Sequence, residues 1–212
     1  SNSIIASEQF GGAYYRSPVF CVCTLDVTKG ARIATDEVIL THVCVVGLKS
    51  GDLWCVPLPK PNKRTQNISG FEKARISGKY DYPVSSLCVC WNFLYAGFAD
   101  GSVKAWAFDD QNPGFDVSTQ APIHALQFHL VMHKFAHFSP VTCITFAGEY
   151  MFTGSFDNSY VTWAEPDDLM ATNMATFNQT IGKGHVIHEA PVTAIAANKF
   201  LLVSGDKNGY VK

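Results

Sequence analysis

Chemistry in this chain would have to come from its cysteines, its histidines or one glycine-lysine stretch. Seven cysteines stand at 21, 23, 44, 55, 88, 90 and 143. Cys21/Cys23 and Cys88/Cys90 are two apart, so on a strand each pair shares a face. No Cys-x-x-Cys pair occurs, and a structural zinc site needs four converging ligands. The cysteines therefore read as buried, reduced thiols acting as small hydrophobes, which favours a cytoplasmic or nuclear location. His129, His133 and His137 are four apart and on a helix would share one face. Strand-forming residues flank them and no cap precedes them, so no metal is assigned there. Gly182-Lys183-Gly184 lacks the longer glycine loop and the following Ser or Thr of a phosphate cradle. The chain is read as having no catalytic residue, no cofactor and no metal.

The elements that would position any such group are strands. Residues 140–163, PVTCITFAGEYMFTGSFDNSYVTW, hold two apolar runs, a polar turn and a third run ending in Trp163. Their β-branched and aromatic content, punctuated by glycine, predicts three successive antiparallel strands. The unit recurs. Pro83, Pro140 and Pro191 each precede Val, and Gly97, Gly154 and Gly205 follow at an offset of 14. A repeat of this size with a Gly-x-x-Asp-Gly turn predicts an all-β propeller built of four-stranded blades.

In chain order the blade units fall at 18–82, 83–139, 140–190 and 191–212. The first is degenerate. Its Pro18 and Gly47 are 29 apart, which places an insertion at 25–41. Fourth strands are expected near 71–76, 123–128 and 174–179. The last unit stops early in its third strand. The expectation is therefore about four blades, the last truncated, of a ring completed by sequence not present here.

Composition limits the partners. The chain is 47% hydrophobic and 16% charged with a formal charge of -2, so no global basic field draws it to nucleic acid or a membrane. No transmembrane run is present. The most basic stretch is the connector 59–82, with Lys60, Lys63, Arg64, Lys73, Arg75 and Lys79.

These repeats resemble the WD40 family, strongly over 83–106, 137–163 and 188–211 and weakly in the first unit. The resemblance implies a hydrogen-bonded structural tetrad in the third blade formed by His137, Thr153, Asp157 and Trp163. It looks like a catalytic triad, but its implied role is to hold the blade. The matching positions are Tyr80, Ala96, Asp100 and Trp106 in the second blade, and Tyr15, Val46, Ser50 and Val56 in the first. The fourth has His188, Ser204 and Asn208, with Asn in place of the acid. Within the family, GSFDNSYVTW and the Asn112-Pro113 turn resemble a plant group that joins a zinc finger to a propeller. RNA binding is not carried over, because no zinc finger stands here.

Fold alone does not assign function. The resemblance implies a noncatalytic scaffold or adaptor that presents one propeller face to a peptide or protein, within a multiprotein assembly. Candidate contact residues are Tyr80, Tyr82, Phe98, Phe138, Phe156 and Lys199. Two alternatives are a nucleic-acid-associated factor using the 59–82 connector and an enzyme built on the propeller.

Overall fold

The computed structural model describes residues 17–26, 42–57, 74–76, 80–91, 93–109, 127–164, 185–186 and 188–212. Fourteen strands form four antiparallel sheets among these residues. The first sheet is β1 (Val19–Asp26), β2 (His42–Leu48), β3 (Leu53–Pro57) and β4 (Ala74–Arg75), in chain order across the sheet. The second is β5 (Val84–Cys90), β6 (Phe93–Phe98), β7 (Ser102–Asp109) and β8 (Gln127–Phe135). The third is β9 (Val141–Ala147), β10 (Tyr150–Ser155), β11 (Ser159–Ala164) and β12 (His185–Val186). The fourth holds β13 (Val192–Ala197) and β14 (Leu202–Asp206), with one further bridge between Gly205 and Val211.

Each sheet is a meander, as a blade requires, and each blade packs its first strand on the preceding blade: β5 on β1, β9 on β5 and β13 on β9. One apolar cluster lies between the first two blades, with Leu25, Val45, Leu53, Val84, Phe98 and Trp106. A second lies between the next two, with Tyr95, Val141, Met151, Val161 and Trp163.

The four prolines open equivalent strands. The carbonyls of Pro18, Pro83, Pro140 and Pro191 accept backbone N–H donors from Lys49, Ala99, Phe156 and Lys207 at 2.9–3.0 Å. The insertion in the first unit thus changes the count from Pro18 to its turn and leaves the bond intact. In that turn Gly51, Gly101, Asn158 and Gly209 all have φ between 68° and 89°. Only glycine, and asparagine next, occupies this left-handed region without strain.

Two strand positions differ from expectation. The outer strand of the second blade is β8, which overlaps the expected 123–128 segment at Gln127 and Phe128 and continues to Phe135. Its Phe128, Leu130, Met132 and His133 pair along all of β7, and a register shift opposite Ala105/Trp106 keeps Met132 buried. In the third blade β12 holds the outer position against Ser159 and Tyr160. The expected 174–179 strand lies outside the described residues, as do most of the 25–41 insertion and most of the 59–82 connector.

The blades meet on glycine. A Cβ added to Gly97 would stand 2.6 Å from a methyl of Val141, and one on Gly154 would stand 2.8 Å from a methyl of Val192. Gly97→Ala is accordingly expected to cost ~1–3 kcal/mol by overpacking this joint, read as a lowered urea midpoint with unchanged slope.

Candidate functional site

The connection before each first strand and the turn between the second and third strands lie at the same end of a blade, because the proline bond ties them together. In the third blade this end carries a buried polar chain. Trp163 Nε1–H donates to Thr153 Oγ1 at 3.0 Å, and Thr153 Oγ1 lies 2.9 Å from His137 Nε2. His137 Nδ1 lies 3.2 Å from Asp157 Oδ2. Asp157 also accepts from the Phe138 and Ser159 N–H groups and from the Ser159 hydroxyl.

Thr153 and Trp163 are fully buried and His137 nearly so. Burial pulls the His137 imidazole below its ordinary 6.5, against the pull of Asp157, so the ring is neutral at pH 7. Burial opposes ionisation of Asp157, but the Ser159 hydroxyl, the Phe138 N–H and His137 hold its carboxyl below the usual range. A carboxylate only accepts, so Nδ1 carries the proton and Nε2 accepts from Thr153. The hydroxyl proton is committed to the ring and no face of the oxygen is open to a substrate. The group holds a turn and cannot serve as a nucleophile-base pair.

The other blades solve the same position differently. In the fourth, His188 Nε2 lies 2.8 Å from Ser204 Oγ, and Nδ1 lies 3.0 Å from Asp206 Oδ2. The acid is Asp206, two residues before the expected Asn208. Asn208 contributes its N–H to Asp206 Oδ1, as does Tyr210. Burial opposes ionisation of Asp206, but these donors and His188 hold its pKa below the ordinary value. In the second blade Tyr80 takes the histidine's place and packs edge-on to Phe98, with ring centroids 5.3 Å apart, and against Trp106. Lys104 Nζ sits 3.5 Å from the Tyr80 ring centroid and 4.4 Å from that of Phe98. Burial lowers the Lys104 pKa, partly offset by Asp100 and Asp81. Asp100 caps its own turn through the Ser102 N–H and hydroxyl. Tyr15 of the first unit lies outside the described residues, and the Ser50 hydroxyl there donates to Asp52.

The WD40 profile (WD domain, G-beta repeat) matches residues 126–163. Among solved structures, the computationally designed Ika4 protein matches with a TM-score of 0.56 and 17% identity, over 98% of this chain and 96% of that one. The RRP9 WD40 repeats match at 0.54 and 12%, over 93% of this chain and 48% of that one. The WD40 β-propeller domain of Doa1 matches at 0.52 and 18%, over 80% and 46%.

The chain has a β-propeller-type fold, with a WD40 repeat at residues 126–163.

It spans about half the length of the Doa1 and RRP9 chains. No curated protein matches its sequence. The matched WD40 repeat runs from β8 through β11, so its first strand completes the second blade and its remaining strands open the third. This sequence repeat therefore straddles two blades and ties one to the next.

The proposed contact residues separate into three groups. Tyr82, Phe138 and Phe156 are exposed at the tetrad end, Phe138 completely. Phe98 is fully buried and Tyr80 packs on the core, so neither is a free surface anchor. Phe98 follows the repeat glycine by one residue and Phe156 by two, and that single step reverses the face. Lys199 lies at the opposite end, in the β13–β14 hairpin, with its Nζ 4.7 Å from the centroid of the Phe200 ring.

All seven cysteines are free thiols, and burial pushes Cys21 and Cys23 up to about 12 and Cys88 to about 11. Among the described residues no three His, Cys, Asp or Glu side chains converge as a metal site would need. His124 lies outside the described residues, and His129 and His133 sit on β8.

Two outcomes are expected. The folded His137 binds its proton more weakly than an unfolded histidine, and Asp157 likewise, so the unfolded chain takes up protons as pH falls. Thermal melting should hold its highest temperature above pH 6.5 and fall as pH drops below it, and His137→Gln should flatten the first part of that fall. Ellman's reagent at neutral pH should modify the folded chain at least about tenfold more slowly than the urea-unfolded one.

Proposed function

We propose that this WD40-type domain is a noncatalytic docking platform that binds a peptide or protein segment across its tetrad end. The observation that carries the reading is the exposure of Tyr82, Phe138 and Phe156 on turns whose backbone is fixed from beneath. Phe138 N–H is held by Asp157 at 3.0 Å, and Phe156 N–H by the Pro140 carbonyl at 3.0 Å. Lys207 of the next blade stands 5.7 Å from the centroid of the Phe156 ring. Large apolar side chains on rigid turns lose little entropy on binding, which is what anchors of an interface require. The fit is to an extended segment bearing an apolar side chain, with a carboxylate in reach of Lys207. The domain would act within a multiprotein assembly.

Peptides selected from a displayed library against the folded chain test this. Replacing Phe138 and Phe156 together by Ala should weaken the selected peptides more than about tenfold while the melting temperature stays near that of the parent. Peptides that bind the double variant as tightly as the parent would place the contact elsewhere.

A further inference from the structure

The connections that open the second, third and fourth blades each present one residue at the tetrad end. Asp81, Phe138 and Glu189 all stand two residues before the repeat proline. All three are exposed, Phe138 completely. The proline bond fixes this place in each blade, so the three form a row across consecutive blades in the order acid, phenyl, acid. Neither acid is committed elsewhere. Among the described residues the carboxylates held in ion pairs are Asp157 and Asp206.

Asp100 adds negative charge beside this row. Its turn abuts the connection that carries Phe138, since a Cβ on Gly101 would collide with the His137 carbonyl. The nearby cations sit against rings. Lys104 Nζ lies over Tyr80 and Phe98, where Asp100 and Asp81 act on it through space. Lys207 stands beside Phe156.

A negative-apolar-negative row is complementary to a positive-apolar-positive partner. The fold sets the spacing. First strands of neighbouring blades pack on one another, β5 with β9 and β9 with β13. Packed sheets lie ~10 Å apart, so the row advances by that distance per blade. A β-strand covers it in three residues, but its third side chain then points to the opposite face. A polyproline II segment has about three residues per turn and rises ~3.1 Å per residue, so every third side chain returns to one face after ~9 Å.

We propose that the partner of this surface is a polyproline II segment whose apolar residue has a lysine or arginine three places before it and another three places after it. The apolar side chain meets Phe138 and Phe156, and the two cations meet Asp81 and Glu189. The row is symmetric in charge, so the segment can run in either direction. A preformed polyproline II segment also loses little entropy on docking to an aromatic surface. This partner presupposes the docking role proposed above and specifies its chemistry.

A random displayed peptide library selected on the 212-residue chain is the test. Selected sequences should align on an apolar residue, with Lys or Arg enriched three places to either side. Asp81→Asn and Glu189→Gln together should weaken a synthetic peptide of the selected sequence by at least about fivefold, the size of two exposed ion pairs, and should melt like the parent. Added salt should weaken the parent complex and leave that of the double variant nearly unchanged. Selected peptides that need Phe138 and Phe156 but carry no such cations, or that bind the Asp81→Asn, Glu189→Gln chain as tightly as the parent, overturn the partner's chemistry and leave the docking role standing. Peptides indifferent to Phe138 and Phe156, or a library without binders, overturn both.

Discussion

Protons in the third blade run one way, from Trp163 to Thr153 to His137 to Asp157, and this direction is what the turn depends on. The indole can only donate and the carboxylate can only accept, so the two ends dictate the orientation of the hydroxyl and the tautomer of the ring between them. Four side chains from β10, β11, the turn and the connection before β9 are thereby held in one arrangement. Buried and satisfied, such a chain is worth more than its separate bonds, and losing one member leaves the others as unpaired polar groups in the core. The same atoms in an open cleft would be read as an acid-base pair. Burial of Thr153 and Trp163 makes them a fastening.

The second blade shows that the fastening is a requirement of position and not of chemistry. Tyr80, Phe98, Lys104 and Trp106 fill the corresponding space with ring contacts and a cation over two aromatic faces. Ala96 where Thr153 stands removes the hydroxyl, and with it the need for a histidine. The bond from each turn to its blade's opening proline is common to all four sheets, whatever the side chains do. Backbone geometry defines the blade, and side-chain chemistry closes its end.

What could be read from the residues follows the same division. The Pro-to-Gly offset exposed the blades because the bulge, the glycine joint and the left-handed turn all fall at constant distances from Pro83, Pro140 and Pro191. The His137 group followed from resemblance to a known pattern. Asp206 was missed because alignment on the repeat glycine points to Asn208, and only the path of the β14 turn brings the earlier carboxylate onto His188. An Asp-x-Ser pattern at 100–102 and 157–159 was a legible sign of the serine that caps each turn acid. Burial of Phe98 and Lys104 was not legible, because it depends on Tyr80 reaching across from the connection.

Backbone bonds hold the turns at the tetrad end beneath exposed aromatic side chains, which is the physical basis for proposing a docking role. The most direct measurement of the underlying claim is nitrogen-15 NMR of the His137 ring across a pH titration. The account predicts a neutral imidazole at pH 7 with the proton on Nδ1, titrating below the ordinary histidine value of 6.5. A ring protonated on Nε2, or an imidazolium at pH 7, would contradict it.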